Sequence, residues 1–251
     1  MRTISLARGS VRVSADLQAL TGALADFFLE CAQSACQKRG RFAVALSGGS
    51  TPRALYSLLS EPAYRDTVPW DRTHLFWGDE RCVPHDSPES NYRMVAQTLL
   101  SKITIPEANI HATRGQDKDP ARAASDYQED ITRFFSLAPQ EIPEFDLILL
   151  GLGPDGHTAS LFPDTGATEV TERLVTAVYV PRLDSHRLSL TLPVLNGGAN
   201  VTFMVAGEEK SEILRRVVSD EKPALPAQMV EPKGSLYWYV DSAAARLFEG
   251  P

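Results

Sequence analysis

The chain has 251 residues, 43% of them hydrophobic and 23% charged, and carries a formal net charge of −7. That length suits one large α/β domain spanning residues 1–251, and the composition is not that of a disordered or fibrous protein. The negative charge argues against a nucleic-acid binder, which needs a basic face to meet phosphates, but a few converging cations can still hold an anionic metabolite.

The N-terminal MRTISLARGSVRVSADL contains no apolar run long enough for a signal peptide or a membrane span. Three cysteines (Cys31, Cys36 and Cys82) are too few and too irregularly placed for a disulfide framework, and read as reduced packing residues. We therefore expect a cytoplasmic protein with no membrane partner, a monomer or weak homodimer.

Apolar residues at Leu17, Leu20, Leu24, Phe27, Phe28 and Cys31 predict a helix over 14–39, with Ser14 as its N-cap. RFAVAL (41–46) reads as a buried parallel strand. It runs into SGGSTP, where Pro52 suits the first turn of the following helix. THLFWGD (73–79) is a second strand, and Ser90 caps a helix reaching Leu100. ANIHAT (108–113) is a third strand and 119–136 an amphipathic helix. FDLILLGL (145–152) is the strongest buried-strand signal in the chain. Strands are then expected at 173–180, 187–192 and 200–207, a helix over EEKSEILRRVV, a strand at 235–240 and a closing helix in DSAAARLF. Strands separated by helices predict a single-domain, three-layer, doubly wound, mostly parallel sheet with helices on both faces.

In such sheets ligands bind beyond the carboxyl ends of the strands, and the unusual polar segments fall there. SGGST offers free backbone N–H groups at a helix start, with Gly48, Gly49, Ser50 and Thr51 shaped to receive a phosphate. It lacks the GK[ST] ending of a nucleotide-binding loop. GLGPDG (151–156) matches a dinucleotide fingerprint formally. Asp155 beside a pyrophosphate, the mid-chain position and HTASLFPDTG in place of a long helix argue against that reading. The loop reads better as a catalytic turn, with His157 as base. Asp155 fits either against His157 or toward substrate hydroxyls. In GDER, Asp79, Glu80 and Arg81 alone would be an ordinary charged turn. Arg187 and Lys210 gain meaning only if they converge with Arg81 on one pocket. No histidine pair has metal-ligand spacing and no G-x-S-x-G elbow exists, so neither a metal site nor a serine nucleophile is expected.

The segments ALSGGSTPRALY, FWGDERCVPHDSPESNYRM, LILLGLGPDGHTASLFP and RLSLTLPVLNGGANVTFMVAGEEK together resemble the 6-phosphogluconolactonase family. Its wider superfamily includes glucosamine-6-phosphate deaminase and ribose-5-phosphate isomerase. The resemblance covers about Phe42 to Asp241 and implies a Rossmann-like fold of the deaminase/ribose-phosphate-isomerase type. It implies hydrolysis of 6-phospho-D-glucono-1,5-lactone in the oxidative pentose phosphate pathway, without a cofactor, the sugar-phosphate lactone being the partner. By the same resemblance His157 is the base, Asp155 orients it, and the SGGST turn with Arg81, Arg187 and Lys210 takes the phosphate. The aminosugar-phosphate deaminase is the alternative on this scaffold. Arg81 in place of a tyrosine, and Ser160–Pro163 in place of an asparagine-glutamate-proline stretch, weigh against it.

Overall fold

The computed structural model describes residues 1–6, 9–219 and 224–248. Two strands with no counterpart in the sequence reading open the chain, β1 (Arg2–Ser5) and β2 (Ser10–Ser14). Helix α1 (Leu17–Arg39) is capped by Asp16, whose carboxylate accepts from Ala19 N at 2.8 Å, and not by Ser14. Both residues are good caps. Ser14 is committed to pairing with Asp241 at the end of a parallel ladder, and that tertiary contact moves the helix start.

The remaining elements are β3 (Phe42–Leu46), α2 (Ser50–Leu59), α3 (Pro62–Arg65), β4 (Thr73–Trp77), β5 (Asp79–Arg81) and α4 (Asn91–Val95), which a π turn prolongs to Leu100. They continue as β6 (Ile110–His111), α5 (Pro120–Phe135), β7 (Leu147–Leu150), β8 (Val175–Val180), β9 (Ser185–Leu190) and α6 (Leu192–Asn196). The last are β10 (Asn200–Val205), α7 (Ser211–Val218) and β11 (Ser235–Asp241). Ser90 caps α4 as expected, its Oγ accepting from Arg93 N at 3.1 Å.

Among the described residues, eight strands form the main sheet in the order β1-β2-β11-β10-β7-β3-β4-β6, parallel throughout except for the β1–β2 pair. Every residue of β3 and β7 is buried, which is why FAVAL and LILL are uninterrupted apolar runs. Phe42, Val44 and Leu46 pack with α1 and α2 on one face, while Ala43 and Ala45 join the core under α5 and α7 on the other. From β3 the chain adds β4 and β6 on one side, then crosses to β7, β10 and β11 on the other. The crevice between the carboxyl ends of β3 and β7 is therefore the switch point where such sheets bind ligands.

Two expectations are corrected. The strands at 173–180 and 187–192 leave the parallel sheet and form, with β5, a separate antiparallel sheet in the order β5-β9-β8. The turn between them is far too short for the crossover that parallel neighbours require. DSAAARLF is a run of turns, not a helix. Asp241 there accepts from Gly207 N and Ala244 N, and Ser242 Oγ donates to Ala15 O, so the segment is tied to the sheet end in short bends.

Candidate functional site

At the end of β3, Ser47 N donates to the buried Tyr56 hydroxyl at 3.0 Å, and that hydroxyl donates back to Ser47 O at 2.8 Å. This clamp fixes the turn before α2. Gly49 is the N-cap of α2, so the first N–H groups of Ser50 and Thr51 have no acceptor within the helix. Thr51 is buried and Ser50 exposed. Gly48 is required sterically: a Cβ there would sit 2.0 Å from Asn91 Oδ1. Asn91 in turn donates through Nδ2 to Asp79 O at 3.0 Å.

Beyond β4, the GDER segment divides by strand alternation. Glu80 points into the interior and is fully buried, accepting from Arg81 N (2.7 Å), Asn91 N (2.8 Å), Tyr92 N (2.7 Å) and Ser90 Oγ (3.1 Å). Burial pushes its carboxyl above the usual range, although these backbone donors oppose the shift. Glu80 therefore anchors the start of α4, where a carboxylate also meets the positive end of the helix. Asp79 and Arg81 lie on the opposite face. Asp79 Oδ2 accepts from the buried Ser160 Oγ at 2.7 Å, and Ser160 N donates to Ser189 Oγ at 3.2 Å.

Across β5 and β9, Arg81 stands directly opposite Arg187, and Asp79 opposite Ser189. Like charges in register repel. Arg81 bonds Glu89 O, yet the Nε atoms of both arginines are buried without a hydrogen-bond partner among the described residues. Burial and then the charge of Arg81 push the Arg187 guanidinium below its usual range, with nearby carboxylates opposing. Two facing guanidiniums with unfilled donors are complementary to a dianion.

The loop after β7 carries His157. Gly156 N donates to Gly153 O at 3.0 Å and Gly153 N to His157 O at 2.9 Å, so the loop doubles back and lays the imidazole over Gly153. A Cβ on Gly153 would lie 2.0 Å from the ring. His157 Nδ1 is 2.5 Å from Asp155 Oδ1, and its backbone N donates to the same oxygen at 3.2 Å. The other Asp155 oxygen accepts from Arg182. Phe162 stacks on the imidazole with ring centroids 4.0 Å apart. Burial lowers the His157 pKa below its ordinary value, with the Asp155 hydrogen bond and charge opposing. For Asp155, burial pushes upward, but the hydrogen bonds and charge of His157 outweigh it and hold the carboxyl low. With Nδ1–H given to Asp155, Nε2 carries the free lone pair and has no hydrogen-bond partner among the described residues.

Lys210 meets this loop directly: its Nζ donates to Leu152 O at 2.9 Å. Ser47 Oγ borders Gly151, so the β3 and β7 loops touch at the switch point. The sequence-derived residues are thus brought together at the carboxyl ends of β3 and β7 and on the adjoining small sheet. Sequence reasoning missed Arg182, Ser160, Ser189, Asn91 and Phe162. Their roles come from partners distant in the chain, and only the sequence proximity of Ser160 and Phe162 to His157 could have flagged any of them.

This is a doubly wound α/β protein with a histidine–aspartate pair on the loop after β7 and two facing arginines on the small sheet that holds that loop through Ser160. A family model described as glucosamine-6-phosphate isomerases/6-phosphogluconolactonase matches residues 15–238, and the chain belongs to that family. It is 41% identical over 238 residues to a 6-phosphogluconolactonase of Nostoc sp., covering 94% of this chain and 96% of that one. It is 39% identical to the human 6-phosphogluconolactonase, covering 98% of this chain and 96% of the relative. Among solved structures, the 6-phosphogluconolactonase from Trypanosoma cruzi superposes with a TM-score of 0.85 at 29% identity, covering 98% of each chain. A monomeric glucosamine-6-phosphate deaminase, at 17% identity and a TM-score of 0.78, shares the fold.

Proposed function

We propose that the protein hydrolyses 6-phospho-D-glucono-1,5-lactone to 6-phospho-D-gluconate in the oxidative pentose phosphate pathway, with His157 as general base. One observation carries the reading: a single face of the small sheet holds both ends of the site. Asp79 and Ser189 grip Ser160 and so the His157 loop, while one same-face step along the strands Arg81 and Arg187 face each other. Such a step is roughly 7 Å, the scale of a phosphorylated hexose.

In this reading the phosphate lies between Arg81 and Arg187 and meets the α2 N-terminus through Gly48, Gly49, Ser50 and Thr51. His157 Nε2 takes a proton from a water, and the resulting hydroxide oxygen bonds to the lactone carbonyl carbon. The carbonyl electrons move to oxygen, giving a tetrahedral oxyanion. Asp155 stabilises the imidazolium through Nδ1–H. When the oxyanion collapses, the bond to the ring oxygen breaks and that oxygen takes the proton from Nε2, leaving the acid. Lys210, held on Leu152 O, braces the loop. A lactone is an activated ester, so a positioned base and a bound water suffice.

The test generates the lactone with glucose-6-phosphate dehydrogenase and follows acid release with and without the protein. Acceleration is expected, with kcat/KM falling as pH drops through a midpoint below that of an ordinary imidazole, where His157 protonates. No acceleration, or ammonia release from glucosamine 6-phosphate instead, overturns the proposal.

A further inference from the structure

The hairpin formed by β8 and β9 turns over Pro181–Leu183, with Asp184 in the left-handed region (φ 42°) closing the turn by donating its N–H to Pro181 O at 3.2 Å. Tyr179 Oη donates to Asp184 at 2.8 Å, and the Tyr179 ring packs against His186 across the strands, centroids 4.9 Å apart. This ordered tip projects Arg182 onto the base loop. There its guanidinium bonds Asp155 Oδ2 and lies over the Phe162 ring, 5.0 Å from its centroid. Phe162 in turn stacks on His157. The two oxygens of Asp155 are therefore divided, Oδ1 to His157 and Oδ2 to Arg182, which leaves the carboxylate no freedom to rotate.

The geometry points to Arg182 as a positioning residue for lactone hydrolysis: it locks Asp155 and, through Phe162, the ring plane of His157, so that Nε2 is held toward the substrate. The inference rests on the function proposed above. It also gives the hairpin a coupling role, because β9 carries both Arg187, facing Arg81, and Ser189, which grips the His157 loop through Ser160. A substrate phosphate that settles the arginine pair would steady the same hairpin whose tip aligns the base.

The charged groups facing His157 are Asp155 from its own loop, Asp79 from β5 and Arg182 from the hairpin. Both carboxylates favour the imidazolium, whereas Arg182 disfavours it. Removing Arg182 deletes a charge that opposes the imidazolium, so the imidazole should titrate at higher pH.

The decisive variant is Arg182→Met, which keeps the apolar stem against Phe162. The side chain is half exposed at a hairpin tip, so the protein should fold, as its thermal midpoint will report. We expect kcat to fall roughly ten- to a hundredfold with KM within about threefold, because misalignment acts on the transition state. Arg182→Lys should restore part of the loss. The His157 ring, followed by NMR in the resting protein, should titrate at higher pH in Arg182→Met than in wild type. An unmoved titration overturns the proposal, whatever the kinetics. So does a rise in KM at unchanged kcat, which would make Arg182 a substrate ligand. If wild type fails to hydrolyse the lactone, the functional reading falls, while the NMR comparison still decides whether Arg182 governs the dyad.

Discussion

Gly153→Ala is the sharpest probe of the His157 geometry, because it adds one methyl group under the imidazole and touches nothing assigned to the phosphate. Gly153 is not in the left-handed region, so backbone strain does not enter. The added Cβ would lie 2.0 Å from His157 Cε1 and 2.0 Å from Nδ1. To reach an ordinary contact of about 3.4 Å the ring must retreat by about 1.4 Å. Such a shift cannot leave the 2.5 Å contact between Nδ1 and Asp155 intact, with Phe162 stacked on the ring. A displacement of this size costs on the order of a hundredfold in rate when it falls on a reacting group. The overpacking also destabilises by about 1–3 kcal/mol. The dehydrogenase-coupled assay should therefore show kcat down about a hundredfold, KM within about threefold, and a lowered but cooperative thermal transition. A folded variant with kcat within threefold of wild type would refute the steric argument, and with it the placement of the base.

Arg187→Met separates stability from binding at the other end of the site. It removes the like charge facing Arg81 and a buried Nε with no partner among the described residues, so the unliganded protein should melt no lower than wild type. KM for the lactone should rise at least about tenfold, and inorganic phosphate, which should raise the wild-type melting temperature by binding the native state, should lose that effect. An unchanged KM would show that the arginine pair does not hold the phosphate. Glu80→Ala tests the scaffold: it strips the acceptor from three backbone N–H groups and Ser90 Oγ in a fully buried setting. Orphaned buried donors cost about 1–3 kcal/mol each, so urea unfolding should show a loss of roughly 3 kcal/mol or more. A loss under about 1 kcal/mol would mean the start of α4 is held by other contacts.

Much of the parallel sheet was legible because β3 and β7 are covered on both faces, and double coverage writes itself as an unbroken apolar run. The helix boundaries that depend on local caps were close: Ser90 and Asp119 both accept from backbone N–H groups of their helices. The misses came where a distant partner outranked a local preference. Ser14 is a competent cap but is claimed by Asp241, and the alanine-rich tail bends because Asp241 and Ala15 hold it at the sheet end. The antiparallel sheet was hidden because alternation identifies a strand but not its neighbour.

The same division runs through the site. The sequence by itself determined which loops follow the buried strands at their carboxyl ends, because polar, glycine-rich segments break the apolar runs there, and the spacing of Asp155 and His157 put a carboxylate within reach of an imidazole. Only the tertiary structure decided what each charge does. Glu80 and Arg81 are adjacent in the chain, yet strand alternation sends one into the core as an anchor and the other to face Arg187. Arg182, 27 positions from Asp155, reaches it because a hairpin turn brings it there. Register and alternation are long-range properties, and they set Arg81 opposite Arg187 while turning Asp79 to hold the His157 loop through Ser160.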